Sequence, residues 1–326
     1  MSRGVRFQEI PSALSDALSG WFAGWSDAVA GVEGAPPLAA ALMALAAGAS
    51  FGSAVSVQRL GLDHMDGRRG ALIGIGASVL VFAIPAPFYA QAEWIGTRAF
   101  WLFAVCGLFM PALSTMLALR SVGLLGPGLA AATGSFGPFF ALTLAAVFLG
   151  ERFGAKEAAG LALMMTGLAL SAGLKGPGGG ARSWPLWALG FGLAAAFLRG
   201  AFQPIARVGL QEVPSPMFAA LVMSLVSTVL LAGVHAASVE RGRPWPRAGV
   251  AWFALAGVLN GFGIAFLNAA LGAGEVVVAA PLASTTPLWA LLFAALVFRV
   301  ERISARHVAV AALVVAGAAM IVWNPG

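Results

Sequence analysis

The chain alternates long apolar runs with short polar breaks along most of its length. Ten apolar runs follow residue 37, and most approach the roughly 20 residues that a helix needs to cross a bilayer. They lie at about residues 38–58, 70–90, 99–119, 128–149, 156–174, 185–206, 215–235, 249–271, 276–298 and 304–323. None shows the alternation of a barrel strand, and a helix satisfies its own backbone in lipid, so the pattern predicts an all-α polytopic membrane protein with ten transmembrane helices.

Two segments interrupt this pattern. Residues 1–36 precede the first run, and apolar residues such as Leu14, Leu18 and Trp25 recur there at helical spacing, which predicts an amphipathic helix in the headgroup layer. The Gly-rich stretch KGPGGGARS begins at residue 175 and predicts a flexible linker over 175–184. The domains expected are therefore the tail (1–36), a first five-helix unit (37–174), the linker and a second unit (185–326).

Composition identifies lipid as the main solvent. Of 326 residues, 60% are apolar and only 10% charged, against roughly a quarter charged in ordinary soluble domains. The net charge of +6 is explained by arginines at helix ends that face anionic headgroups, so we expect no nucleic-acid partner. His64, His235 and His307 have no acidic or histidine partner at ligand spacing, which predicts no enzyme, metal or cofactor.

The two halves are related by sequence. A shift of 150 aligns Phe103 with Phe253 and Gly167 with Gly317, and a shift of 148 aligns Gly52 with Gly200. Because each unit has five helices, the second copy must enter the membrane from the opposite side. The sequence therefore predicts inverted repeats around a shared central site, the architecture of alternating access.

A Glu-Arg pair occurs once in each unit, at Glu151-Arg152 and at Glu301-Arg302. Each pair follows the fourth helix, where a carboxylate can accept from the free N–H groups that open the next helix. The alternative is a charged latch that opens in one access state, which would make Glu151 and Glu301 gating residues.

These stretches carry a family resemblance. FGPFFALTLAAVFLGERF (136–153), its partner TPLWALLFAALVFRVERI (286–303), Gly167 and Gly317 resemble the EamA domain of the drug/metabolite transporter superfamily, in two tandem copies over residues 38–323. Val300 stands where the first copy has Gly150. The resemblance implies a ten-helix secondary transporter in a bacterial inner membrane, with relatives that export amino acids and other metabolites.

Three prolines interrupt the predicted helices. Pro138 and Pro287 lie at matching places in helices four and nine, where each would free a carbonyl one turn earlier, and Pro111 would kink helix three. Paired interruptions of this kind point to a midplane binding site. Nearby hydroxyls could rebind the freed carbonyls or face a substrate: Thr115, Thr133, Ser135, Ser284 and Thr285.

Arg199 is the one charge that the pattern places well inside a helix, with Gln203 one turn later on the same face. A charge within the bilayer costs at least about 2.5 kcal/mol on insertion scales, so it usually has a partner or a function. The two side chains could bind a carboxylate or phosphate, or Arg199 could extend to the nearer surface.

All thirteen acids fall in the tail, in loops or at helix ends. The remaining polar candidates for a substrate site are neutral, namely Ser50, Ser53, Ser56 and Gln58 in the first predicted helix and Asn260 and Asn268 in the eighth. These side chains favour a small neutral, zwitterionic or weakly anionic metabolite such as an amino acid over a cationic drug. A lipid flippase of the same fold is the alternative function, and the oligomeric state stays open between monomer and homodimer.

Orientation is also open. Apart from Arg199, 6 of the Lys and Arg residues fall in loops or at helix ends on the side of the termini and 12 on the opposite side. The positive-inside rule then places both termini outside, whereas the resemblance implies both inside.

Overall fold

The computed structural model describes residues 37–125, 130, 133–152, 154–173, 186–237, 245–296 and 305–322, and these residues contain helices but no strand. The helices are α1 (Pro37–Leu62), α2 (Gly67–Ala83), α3 (Ala86–Tyr89), α4 (Arg98–Gly107), α5 (Ser114–Leu125), α6 (Gly137–Leu149), α7 (Ala155–Gly173), α8 (Leu189–Glu212), α9 (Pro216–Ala236), α10 (Arg247–Ala273), α11 (Val276–Ala283), α12 (Thr286–Leu296) and α13 (Ala305–Val322). The predictions for the tail, the linker and Glu301 lie outside these residues.

Six spans of the described chain are long and apolar enough to cross a membrane. They are Leu38–Leu62, Arg98–Leu125, Leu189–Glu212, Pro216–Ala236, Arg247–Ala273 and Val276–Phe293. Two shorter apolar helices lie at Gly137–Leu149 and Ala312–Ile321. The all-helical membrane architecture expected from the sequence is therefore confirmed.

The prolines start new helical segments, which differs from the kinks expected inside continuous helices. Pro138 and Pro287 lie in the first turns of α6 and α12, where a missing N–H leaves no hydrogen bond unmade. Pro111 lies in a π-helical segment, Leu108–Leu113, that joins α4 to α5 and in which Met110 has extended backbone angles. The breaks therefore fall between two helical segments rather than within one.

Glycines at matched positions let the two halves approach backbone to backbone. A Cβ added to Gly52 of α1 would lie 2.5 Å from the Cβ of Trp289 and 2.8 Å from the carbonyl oxygen of Thr286. A Cβ added to Gly200 of α8 would lie 2.7 Å from the Cβ of Phe140 and 2.7 Å from the carbonyl oxygen of Gly137. Gly200 is the counterpart of Gly52 under the 148-residue shift, and Phe140 and Gly137 correspond to Trp289 and Thr286 when Pro138 is aligned with Pro287. One contact is therefore built twice.

The same duplication holds for two buried hydrogen bonds. Ser78 Oγ of α2 donates to the carbonyl oxygen of Gly257 at 2.6 Å, and Ser227 Oγ of α9 donates to that of Gly107 at 2.5 Å. Gly107 and Gly257 are counterparts under the 150-residue shift. Ser78 thus joins α2 to α10 of the second copy, and Ser227 joins α9 to α4 of the first copy.

Corresponding helices of the two copies run antiparallel where they pack together. Along α7 and α13, Gly160 packs against Ile321 and Gly317, whereas Gly167 packs against Val314 and Val310. Along α2 and α9, Phe82 clusters with Ala220 and Ile75 with Leu231. Along these contacts, α7 and α13 therefore run in opposite directions, as do α2 and α9.

Substitution of Gly200 tests the close contact. We expect Gly200→Val to lower the free energy of unfolding in detergent by about 1–3 kcal/mol, because the added side chain overpacks against α6. The matched control is Gly190→Val in the same helix, where a Cβ meets nothing within 4 Å. Equal unfolding free energies for the two variants would contradict the contact.

Candidate functional site

A cavity of about 670 Å³ lies between the two halves. Its walls come from α1, α2, α8 and α10, and from the helix breaks that contain Pro111, Pro138 and Pro287. It extends from the middle of the protein to Leu62 at the end of α1 and Val122 near the end of α5. We call this end the mouth.

Arg199 lies on the wall of this cavity, near the middle of α8. No described residue forms a hydrogen bond or ion pair with its guanidinium group. Gln203, one turn further along α8, donates from Nε2 to the backbone carbonyl of Arg199 at 3.2 Å, and its buried Oε1 accepts no hydrogen bond from the described residues. Within the described part of the chain, the cavity thus contains a cation and an amide oxygen that both lack a partner.

The rest of the lining is mainly apolar and aromatic, with Phe51, Phe202 and Phe253 among the wall residues. Neutral polar side chains complete it: Gln58, Ser114, Thr115, Ser135, Asn260, Ser284 and Thr286. No acidic side chain belongs to the part of the lining that the structure describes. Such a surface can solvate an apolar body and bind one anionic group.

Many hydroxyls near the helix breaks bond to backbone carbonyls of their own segment. Thr286 Oγ1 donates to the carbonyl oxygen of Ala283 at 2.9 Å, which is a free carbonyl because α11 ends at this residue. Ser284, Thr285 and Thr133 make similar bonds of 2.7–2.9 Å. Local repair of the backbone therefore occupies the donor hydrogens of these hydroxyls.

A second polar group, the Glu151 cluster, joins the ends of α6, α8, α10 and α11 outside the cavity lining and consists of Glu151, Arg207, Gly274, Val276 and Val277. The backbone N–H groups of Val276 and Val277 donate to Oε1 and Oε2 of Glu151 at 3.0 and 2.9 Å. Arg207 Nη1 lies 3.0 Å from Glu151 Oε1 and also donates to the carbonyl of Gly274. Both charged side chains are largely buried: 5% of the Glu151 side-chain surface and 20% of the Arg207 side-chain surface are exposed.

Gly150 directs Glu151 into this cluster. It ends α6 with φ of 68°, in the left-handed region that glycine adopts without steric cost. The turn sends the next side chain toward α8 and α11 instead of along the following helix. Glu151 thus caps α11 of the second copy, and the predicted cap on the following helix, α7, is not observed.

Comparison with known proteins agrees with this architecture. The model of the EamA-like transporter family matches residues 38–173 and 186–323. The chain belongs to the EamA-like transporter family. It is therefore an integral membrane protein of a transporter family with two tandem EamA repeats, as the sequence resemblance predicted.

One solved structure similar to this EamA-like transporter is described as "Crystal structure of protein". It has a TM-score of 0.73 and 18% sequence identity, and the match covers 86% of this chain and 96% of that chain. At this identity the likeness supports the fold alone. No curated protein sequence matches the chain.

The structure brings most of the predicted site residues of this EamA-like transporter to the cavity. Those on its lining are Arg199, Gln203, Thr115, Ser135, Asn260, Ser284, Pro111, Pro138 and Pro287. Four others lie outside the lining: Ser53, Ser56, Thr133 and Thr285. Ser56 is typical of them, because its Oγ donates to the carbonyls of Gly52 and Ala290, both at 3.0 Å, between α1 and α12.

Several lining residues were absent from the prediction. They are the aromatic residues Phe51, Phe202 and Phe253, of which Phe202 lies between Arg199 and Gln203, whereas Gln58 and Ser114 on the lining were candidates from the sequence. Phe253 carried a signal, since it is matched with Phe103 by the repeat. Phe202 could have been identified from its helical spacing to Arg199. Phe51 could not, because nothing distinguishes it from the other apolar residues of its run.

The Glu151 cluster predicts a strong effect of one neutral substitution. We expect Glu151→Gln to lower the free energy of unfolding by about 3 kcal/mol, because Arg207 would lose its buried counter-charge. Glu157→Gln is the control, since Glu157 accepts only from the nearby N–H of Gly154 at an exposed site. Chemical denaturation in detergent measures the free energy of unfolding of each variant. An equal decrease in the two variants would contradict the buried ion pair of Glu151 with Arg207.

Proposed function

We propose that this protein is a secondary transporter that moves a small metabolite across the membrane by alternating access. The cavity between the repeats is the binding site, and Arg199 binds an anionic group of the metabolite. Zwitterionic and weakly anionic metabolites, such as amino acids, fit this site because each carries a carboxylate. The neutral and aromatic lining accommodates the rest of the molecule.

The observation that carries this proposal is the unpaired guanidinium of Arg199. A cation within the membrane is costly and normally pairs with protein groups or contributes to function. The described residues give it no partner, and the cavity beside it has room for a ligand of several heavy atoms. A carboxylate can accept two parallel hydrogen bonds from a guanidinium group, which explains the choice of arginine.

Ten membrane-spanning segments in two inverted five-helix repeats would make the two faces of such a transporter equivalent. The antiparallel packing of α7 with α13 and of α2 with α9 supports this inversion, as does the odd number of helices predicted in each repeat. A cavity open at one end then has an alternative state open at the other. Interchange of the two repeat conformations converts one state into the other.

The Glu151 cluster is the gate of this mechanism. It joins α6 of the first repeat to α8 and α11 of the second, so opening this end requires its hydrogen bonds to break. Arg59 is the sequence counterpart of Arg207 under the 148-residue shift, and it lies exposed at the mouth. The difference in burial between the two arginines matches a gate closed at one end and open at the other.

Uptake of matched compounds tests the proposed substrate group. Proteoliposomes would be offered each standard amino acid and its amide, which keeps the ammonium group but lacks the carboxylate. We expect selective uptake of amino acids, with a preference over the amides of about tenfold or more that Arg199→Gln abolishes, because a bidentate charged contact contributes well over 1.4 kcal/mol.

The control variant is Arg120→Gln, which removes a cation that is exposed near the mouth. It should keep the preference. Uptake of neither series, together with protein-dependent scrambling of labelled phospholipid in the same vesicles, would reject the metabolite transporter in favour of a lipid flippase.

The gate predicts a change in accessibility. Cys106 is the only cysteine, so a Cys106→Ala background allows a single label site at Ser284→Cys on the cavity wall. We expect a membrane-impermeant maleimide to label this site from the mouth side, and Glu151→Gln to add several-fold faster labelling from the other side. Unchanged labelling from that side would show that the cluster is not a gate.

A further inference from the structure

The cavity lining carries a net positive charge, which bears on whether the empty transporter can change its open side. Arg199 is the one charged side chain on the described lining, and no described group neutralises it. The charges nearest to either end do not help. Near the mouth, Arg68 and Arg120 are further cations. Asp63 lies exposed in the loop after Leu62, and Asp66 accepts from the backbone N–H of Arg69 and lies 3.8 Å from Arg69 Nε. At the other end, Glu151 is paired with Arg207.

An open cavity tolerates this imbalance because water can hydrate the guanidinium group. A transporter that changes its open side must pass through a state in which both ends are closed and the cavity has shrunk. Phe51, Phe202 and Phe253 would then surround Arg199 in place of much of that water. Enclosing an unpaired cation among apolar groups is strongly unfavourable, whereas enclosing a cation with its anion is much less so.

The Glu151 cluster shows that the chain does bury charge when the partners are complete. Each oxygen of Glu151 accepts a backbone N–H, and Arg207 supplies the counter-charge. Arg199 has a comparable position between the repeats but lacks every such partner among the described residues. Because the part of the chain that the structure describes supplies no such partner, a bound anionic substrate is the group that can complete the pair when the cavity closes.

We infer that this protein is an exchanger of carboxylate-bearing metabolites, in which the bound anionic group completes the charge pair of Arg199 and permits reorientation. The inference rests on the proposed function. The empty protein changes its open side slowly, so movement of one substrate molecule in one direction is coupled to return of another in the opposite direction. Net transport without a returning substrate is the slow mode.

Efflux from preloaded vesicles separates exchange from net transport. Proteoliposomes loaded with a mixture of the twenty standard ¹⁴C-labelled amino acids would be diluted into buffer with or without the same unlabelled mixture. We expect the unlabelled mixture outside to accelerate loss of label about tenfold or more. Protein-free vesicles correct for leakage.

Substitutions of Arg199 identify the origin of the acceleration. Arg199→Gln removes the unpaired charge, so its efflux rate with and without external amino acids should become nearly equal, although its affinity falls. Arg199→Lys keeps the charge and should keep a large ratio, as should Arg120→Gln. A thermal unfolding scan of each variant establishes that it is folded.

The outcomes distinguish the inference from the proposed function. Equal and protein-dependent efflux in both buffers by the wild type would overturn exchange and leave a transporter that returns empty. Efflux no faster than from protein-free vesicles in either buffer would overturn amino-acid transport itself. A large ratio that persists in Arg199→Gln would show exchange of another origin and reject the role of this charge.

Discussion

The rest of the structure depends on how closely the backbones of the two repeats approach each other. At Gly257 an added Cβ would collide with the backbone of Gly74, and at Gly107 it would lie 2.5 Å from the carbonyl oxygen of Met223. Lipid gives little hydrophobic reward for helix association, so packing and interhelical hydrogen bonds must hold membrane helices together. The glycines allow the contact, and Ser78 and Ser227 bond across it. This packing leaves room for a central cavity because the helix breaks lie opposite α8 and α10.

Glu151 of the first repeat makes its hydrogen bonds to the second repeat. A left-handed glycine turns Glu151 into the other repeat, where it caps a helix and pairs with Arg207. One carboxylate therefore accepts hydrogen bonds from two N–H groups that the helix start leaves free, and it also pairs with a buried cation. Glu275 directly precedes α11 but does not cap it, so this helix start depends on a residue of the first repeat. The same side chain therefore stabilises a helix start of the second repeat and pairs with a buried arginine.

Much of the fold could be predicted from the sequence, because the signals were periodic and local. The apolar runs and the repeat shift anticipated the helices, and the isolated charge at Arg199 anticipated a cavity residue. The partner of Glu151 could not be predicted, since Val276 is 125 residues away and only packing brings them together. Ser56 and Thr285 were misplaced for a related reason. Whether a hydroxyl faces a cavity or a neighbouring carbonyl depends on the rotation of its helix, which spacing alone does not determine.

The duplicated contacts also have a consequence for a single repeat. Gly52 with α12 and Gly200 with α6 are one contact made twice, and so are the serine bonds. Each repeat thus makes the same packing contact and the same hydrogen bond to the other repeat, so the surface between them is self-complementary. A five-helix polypeptide with this surface would therefore be able to pack against a second copy of itself through the same contacts.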